Sequence, residues 1–258
     1  MKKIVLAIDI MGGDFGPKTT LEGVAIASEA YPNVKFVLFG DKKKSENELK
    51  KVVGLKNYEF VHTSESIRST DEPVNALRKL KKSSMRLGIN SVKLKDCDGL
   101  VSAGNTGALM AISKFVLKTI KAIDRPAIAA LMPTMKGQTV ILDLGANVEC
   151  SSENLVQFAI MGDMFSRSVL GIKRPKLGLL NVGSEQIKGN SIVKKTFDDL
   201  KKMNSKINFF GFVEGNDINK GVVDVIVTDG FSGNIALKTA EGVAELIFTF
   251  LKNAYASS

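Results

Sequence analysis

The sequence predicts an α/β protein of three layers, with helices on both faces of a mostly parallel sheet that carries one antiparallel hairpin. Three observations predict it. Short β-rich apolar runs alternate with helix-patterned segments from end to end, as a parallel sheet with helical crossovers requires. Several runs, Ile4–Ile8 and Val223–Val227 among them, are continuously apolar, which marks strands covered on both faces. Glycine supplies 23 of 258 residues, whereas Trp is absent and aromatics reach 7%. That balance suits tight strand-to-helix turns better than a β-sandwich or a base-stacking platform.

The elements follow in order. Apolar runs place strands at Lys3–Asp9, Lys35–Gly40, Glu59–Val61, Gly99–Ser102, Ala127–Met132, Thr139–Asp143, Lys176–Asn181, Ile207–Val213 and Val223–Thr228. Helical periodicity fills the intervals. Pro17–Ala30 stops before Pro32, and Asp71–Val92 opens with Asp71 as N-cap and Pro73 in its first turn. Asn105–Leu117, Ser152–Leu170, Asn190–Met203 and Ser232–Leu251 complete the set. Only Pro133–Gln138 separate two of the strands, too few for a helical crossover, so that pair is an antiparallel hairpin. No linker, low-complexity segment or repeat interrupts the pattern, and one α/β/α domain over residues 1–258 is the simplest grouping. The last helix carries Ile247, Phe248, Phe250 and Leu251, apolar on nearly every side, and calls for a cover.

Composition removes several function classes. The single histidine, His62, and two cysteines, Cys97 and Cys150, outside any C-x-x-C, exclude a His-rich metal site and a disulfide framework. No G-x-S-x-G supports a Ser-His-Asp triad. The early apolar run ends at Asp9, too short for a secretory signal, and no membrane span is present, so a cytoplasmic location is expected. Net charge is +9. Lysine clusters at 42–44, 50–51, 79–82, 194–195 and 201–202 fit solvated helix faces, or an acidic partner such as a carrier protein or anionic bilayer. No nucleic-acid motif accompanies them.

The chemistry lies in four loops, each after an apolar strand: Met11-Gly12-Gly13-Asp14, Ser102-Ala103-Gly104-Asn105-Thr106-Gly107, Asp143-Leu144-Gly145-Ala146-Asn147 and Asp229-Gly230-Phe231-Ser232-Gly233-Asn234. A Gly/Asn turn that opens a helix presents bare backbone N–H groups and a positive helix end, suited to an anion or a developing oxyanion. Four such loops predict a shared cleft. The first is neither G-x-G-x-x-G, despite a ribose-type acid at Asp41, nor a P-loop. Asn105 alone reads equally as an N-cap. Arg125, in a short turn before Pro126, and Lys188, after Asn181-Val182-Gly183, are candidate charge partners for phosphate. Cys150 reads as a small buried thiol or as an acyl-accepting nucleophile.

Together with Asp124-Arg125-Pro126-Ala127, Leu180-Asn181-Val182-Gly183, Ile187-Lys188-Gly189-Asn190 and Val213-Glu214-Gly215-Asn216-Asp217, these loops closely resemble the bacterial phosphate acyltransferase family, the acyl-acyl-carrier-protein:phosphate transacylases. The match runs in order from the first strand to the last helix. It implies a Rossmann-like fold related to phosphotransacetylases, a homodimer, and peripheral attachment at the inner membrane face. It also implies transfer of a long-chain fatty acyl group from acyl carrier protein to inorganic phosphate, giving acyl phosphate for phospholipid synthesis, with no cofactor and no metal.

The residues suit that reaction. Phosphate is already nucleophilic at neutral pH, and a thiol with a pKa of about 8.5 leaves readily. An oriented dianion and oxyanion donors are then needed more than a strong base. On this reading Asn105, Lys188, Asn216, Asp217 and Asn234 are catalytic. Gly12, Gly13, Asp14, Gly104, Thr106, Arg125, Asp143, Asn147, Gly183, Asp229 and Gly233 bind phosphate or substrate. Relative to the family, helices beyond Ser232–Leu251 are expected to be missing, Phe15 stands where a polar residue is frequent, and Ser184-Glu185-Gln186 replaces a more acidic run. Alternatives that stay open are an inactive remnant, a short-chain phosphotransacetylase and a nicotinamide-dependent dehydrogenase.

Overall fold

The computed structural model describes residues 3–52 and 54–256. The chain divides into two compact units, Met1–Lys121 and Ala122–Ser258. Where the sequence suggests one sheet, the nine strands among the described residues form two, one in each unit.

The first unit runs β1 (Ile4–Asp9), α1 (Pro17–Ala30), β2 (Val34–Gly40), α2 (Lys42–Lys51), β3 (Tyr58–His62), α3 (Pro73–Lys79), α4 (Ser84–Leu94), β4 (Gly99–Ser102) and α5 (Thr106–Leu117). Its sheet is wholly parallel in the order β3-β2-β1-β4. Alternate residues of β1 explain its continuous apolar run. Ile8 packs with Leu21, Val24, Phe36 and Leu38 beneath α1, whereas Ala7 packs with Val37, Phe39 and Cys97 on the α4 side. A cluster of Ala76, Met85, Ile89, Ala108, Ile112 and Val116, with Ile67 from the loop before α3, ties α3, α4 and α5 together.

The second unit runs β5 (Ala129–Thr134), β6 (Gly137–Leu142), α6 (Ser152–Val169), β7 (Lys176–Leu180), α7 (Ser191–Lys202), β8 (Asn208–Val213), a 3-10 turn (Gly215–Asp217), β9 (Val225–Val227) and α8 (Gly230–Ala256). The strand order is β5-β6-β9-β7-β8, parallel except for the β5–β6 hairpin. Met135 and Lys136 alone separate the hairpin strands, and Pro133 sits in the edge strand, where its missing N–H leaves no central ladder bond unmade. Val140 and Leu142 face α6 and α7, while Ile141 faces α8.

The helices differ from expectation in four places. The segment read as one helix over Asp71–Val92 is two, because the chain breaks at Leu80 and restarts where Ser83 Oγ accepts from Arg86 N. Asp71 is not the N-cap. Glu72 holds that position, and Asp71 accepts from Arg68 N within the preceding loop. The lysine run at 42–51 is the unanticipated α2, capped by Asp41, whose side chain accepts from Lys43 N and Lys44 N. Helix α8 extends to Ala256, and Ile247, Phe248, Phe250 and Leu251 are exposed along it.

Candidate active site

The four loops pair off two and two. In the first unit β1 and β4 are neighbours, so the loops that follow them meet at the C-terminal edge of the sheet, where open α/β folds bind ligands. Asp9, only 2% exposed, ends β1. Its carboxylate accepts from Met11 N at 3.3 Å and from Ser102 Oγ at 2.8 Å, and Ser102 Oγ in turn accepts from Gly104 N at 3.1 Å. A Cβ on Gly12 would lie 2.6 Å from Gly104 N, so the two loops touch only because residue 12 has no side chain. Beside this junction a polar cleft of about 700 Å³ is lined by Gly13, Asp14, Gly104, Asn105 and Thr106, together with Arg68 and Ser69.

Asn105 is fully engaged. Its Oδ1 accepts from Ala108 N at 2.9 Å, capping α5, and its Nδ2 donates to Ser69 O at 3.0 Å and Asp71 O at 2.9 Å. The carboxamide therefore fixes the 68–71 loop against the helix start.

In the second unit Asp143 is the organising residue. It is fully buried, and its Oδ1 accepts from Ile128 N at 2.9 Å and Ala146 N at 3.1 Å. Its Oδ2 accepts from Asn147 N at 2.7 Å and Asn147 Nδ2 at 2.8 Å. Asn147 Nδ2 also donates to Pro126 O at 2.7 Å, and Asn147 O accepts from Gly230 N at 2.8 Å. One buried carboxylate thus joins the Arg125 turn, the Asp143–Asn147 loop and the start of α8. A Cβ on Gly233 would fall 2.0 Å from Asp143 O, so α8 approaches this loop only as glycine. Asn234 packs over Gly145, and its exposed carboxamide has no hydrogen-bond partner among the described residues.

Beside this scaffold lies a cleft of about 1020 Å³, lined by Arg125, Cys150, Ser151, Asn190, Asp229 and Ser232 among others. Three helices begin on it. Ser151 caps α6 in a capping box with Asn154, Asn190 caps α7 through Val193 N, and Asp229 accepts from Ser232 N and Ser232 Oγ at the start of α8. Arg125 Nη1 donates to Glu149 O at 3.0 Å, and the adjoining Asp124 is held to Gln157 of α6 by a reciprocal pair of 2.8 Å bonds. Three helix N-termini, Arg125 and Lys195 bring positive character to this cleft, beside the carboxylates of Asp124, Glu149, Glu153 and Asp229, so an anion bound here would have to sit at the Arg125 side.

Cys150 lines the same cleft, but its thiol is pushed up from its ordinary pKa. Burial is the largest cause, Asp143 and Asp229 add to it, and the Gly230 N–H and Arg125 oppose it. The Sγ donates weakly to Asn147 O at 3.4 Å. Such a group is protonated at neutral pH and a poor nucleophile.

The remaining predicted residues stand apart. Gly183 lies against the stem of Lys188, whose head is exposed, and both belong to the loop that leads to Asn190. Asn216 is exposed in the 3-10 turn. Asp217 spends its carboxylate on Glu214 N at 3.1 Å and Lys220 Nζ at 2.9 Å, which lower its pKa. None of these four lines the Arg125 cleft. Asp9 and Arg68 also belong to the site in the first unit, outside the four loop motifs. The first was legible as an acid ending a continuous apolar strand, whereas no pattern marked the second.

The family described as "Fatty acid synthesis protein" matches this chain over residues 4–258. A phosphate acyltransferase of Paramagnetospirillum magneticum is 52% identical over 256 residues, covering 99% of this chain and 73% of the relative. One from Methylococcus capsulatus is 49% identical over 255 residues, covering 98% and 75%. Among solved structures, the EutD phosphotransacetylase from Staphylococcus aureus superposes with a TM-score of 0.66 at 17% identity, over 94% of this chain and 83% of the other. A branched-chain phosphotransacylase from Enterococcus faecalis V583 gives 0.60 at 16% identity, over 92% and 83%. At those identities the two structures establish the shared fold.

Proposed function

The chain belongs to the phosphate acyltransferase family, and from that premise we propose that it moves a long-chain fatty acyl group from acyl carrier protein to inorganic phosphate, releasing acyl phosphate for phospholipid synthesis. The observation that carries the reading is the Arg125 cleft, where α6, α7 and α8 all begin. Inorganic phosphate sits there, its charge met by the guanidinium and the helix ends.

A phosphate oxygen attacks the thioester carbonyl, forming the new C–O bond, and the carbon–sulfur bond then breaks. The thiolate of the carrier arm leaves and takes the proton that the attacking hydrogen phosphate gives up. Asn234 has a free carboxamide beside Gly145 to offer the oxyanion. Asp143, Asn147 and Asn105 act by position, since their polar atoms are committed to backbone and, for the first two, to each other. Lys188 and Asn216 are exposed, with no side-chain hydrogen bond among the described residues, and enter as candidates for charge and amide contacts, while Asp217 holds the turn that carries Asn216. The raised thiol of Cys150 supports direct attack over an acyl-enzyme.

The same reading makes the protein a cytoplasmic homodimer that docks peripherally on anionic bilayers. Among the described residues no helix is long and apolar enough to cross a membrane, and the exposed apolar turns of α8 offer a surface for such contacts.

The test is incubation with long-chain acyl carrier protein and phosphate, trapping product as the hydroxamate. Acyl phosphate that forms with Cys150→Ala at close to the native rate, and fails with Arg125→Ala until phosphate is raised, supports the scheme. A labelled acyl group found on Cys150 during turnover overturns direct attack. The absence of product from any thioester overturns the function.

A further inference from the structure

We propose that the α3–α4–α5 layer of the first unit is the docking surface for an acidic helical carrier protein. The proposal rests on the reading above that the acyl donor is carrier-borne. Charge is distributed very unevenly along the chain. Between Arg68 and Lys121 stand eleven Lys and Arg against four Asp and Glu, whereas the rest of the chain holds twenty-five against twenty-three. Among the described residues, none of those eleven cations lies within salt-bridge distance of a carboxylate. A face whose charges are merely solvated usually mixes both signs in pairs, as α2 does with Lys50–Glu46 and Lys51–Glu48. The α3–α4–α5 layer withholds the negative partners.

The surface also has an apolar centre. Phe115 of α5 is 55% exposed, with the Arg86 guanidinium 5.5 Å and Lys118 Nζ 5.2 Å from its ring centroid. Val74 of α3 is exposed as well. An aromatic anchor with a charged rim is the anatomy of a protein interface, and the rim's single sign selects an acidic partner. Position favours a carrier over a bilayer. Helix α5 runs from Phe115 back to Thr106 at the polar cleft, about 13 Å of helix rise. A carrier seated on Phe115 therefore has its flexible arm beside the polar cleft lined by Gly13 and Gly104, which takes the arm within this unit. A flat bilayer gains nothing from that alignment.

The experiment is a titration of acylated carrier protein against the intact chain, its Lys114→Glu/Lys118→Glu double variant and Phe115→Ala. The native affinity falls steeply with salt, the charge reversal weakens binding roughly tenfold, and Phe115→Ala weakens it at every salt concentration. Parallel assays with a small acyl thioester show no change in the variants, so their loss is confined to KM for the carrier-borne donor. Binding to vesicles of anionic and neutral phospholipid is the control. Equal carrier affinity across all three proteins overturns the proposal. So does a variant that loses vesicle binding but keeps the carrier, which would make this a bilayer surface. If no thioester yields acyl phosphate, the functional reading fails, and the titration still decides the surface.

Discussion

Asp143 and Glu153 show how differently two carboxylates behave a few residues apart. Asp143 is fully buried with no ion pair among the described residues, and its carboxylate accepts from four N–H groups of Ile128, Ala146 and Asn147. Asp143→Asn would turn an amide N–H toward those donors and leave them unsatisfied. We expect a loss of about 3 kcal/mol, read as a lower urea midpoint; an unchanged midpoint would show that the network is dispensable. Glu153 is exposed, and its hydrogen bond to Lys195 is the first of the causes that bring its pKa from 4.5 down to about 2. A depressed folded value means that the stabilisation is present above pH 4.5 and fades as pH falls toward 2. The stability difference between native and Glu153→Gln protein should therefore be largest near neutrality and be lost as pH falls through about 2. Both partners are exposed, so the effect is small. Residue identity was legible at this scale, and residue employment was not. Asn105 reads equally as an N-cap or an amide donor and Asn147 as a substrate-binding amide, yet Asn105 is taken up by backbone and Asn147 by Pro126 O and the Asp143 carboxylate. A sequence shows a side chain's chemistry without showing which local groups will consume it.

Helices and strands were legible where apolar period and breakers agreed. Pro17–Ala30, bounded by prolines, appears unchanged, and the β5–β6 hairpin follows from the short gap. Helix α2 escaped notice because its only buried residue is Ser45, leaving no apolar stripe to detect. The α3–α4 break escaped because Leu80, Met85 and Ile89 all join helical packing, and only the Ser83 cap marks the restart. Close approaches between elements are the least legible feature of all, since glycine looks the same whether its turn or its neighbour demands it. Gly233 is the sharpest case, with the carbonyl oxygen of Asp143 in the space its side chain would fill. Gly233→Ala must push α8 away from the Asp143 loop. It should cost several kcal/mol, roughly the price of overpacking a rigid core, and abolish acyl phosphate formation. Gly242 has open space around it, so Gly242→Ala is the control and should gain slightly in helix propensity. Comparable midpoints for the two variants would refute the close-approach argument.

At the scale of the whole chain, the two units differ in charge as well as in topology. Met1–Lys121 carries twenty-one Lys and Arg against thirteen Asp and Glu, while Ala122–Ser258 carries fifteen against fourteen. Nearly all of the net +9 therefore belongs to the first unit. The boundary was hidden in the sequence because no Pro, Gly or Ser run marks it. It falls between α5 and β5, in a stretch without helix or strand, where Lys118 and Ala122 take positive φ values of 68° and 71°. Positive φ in a non-glycine residue at an exposed turn gives a protease a locally distorted, accessible backbone. Brief trypsin treatment should cut first after Lys118 or Lys121, ahead of the many lysines held inside helices. The products, separated in urea where charge alone decides, should part on a cation exchanger, with the N-terminal fragment eluting at higher salt. First cuts at the α2 or α7 lysines would mean that the linking stretch is better protected than its backbone suggests, and the boundary would have to be drawn elsewhere.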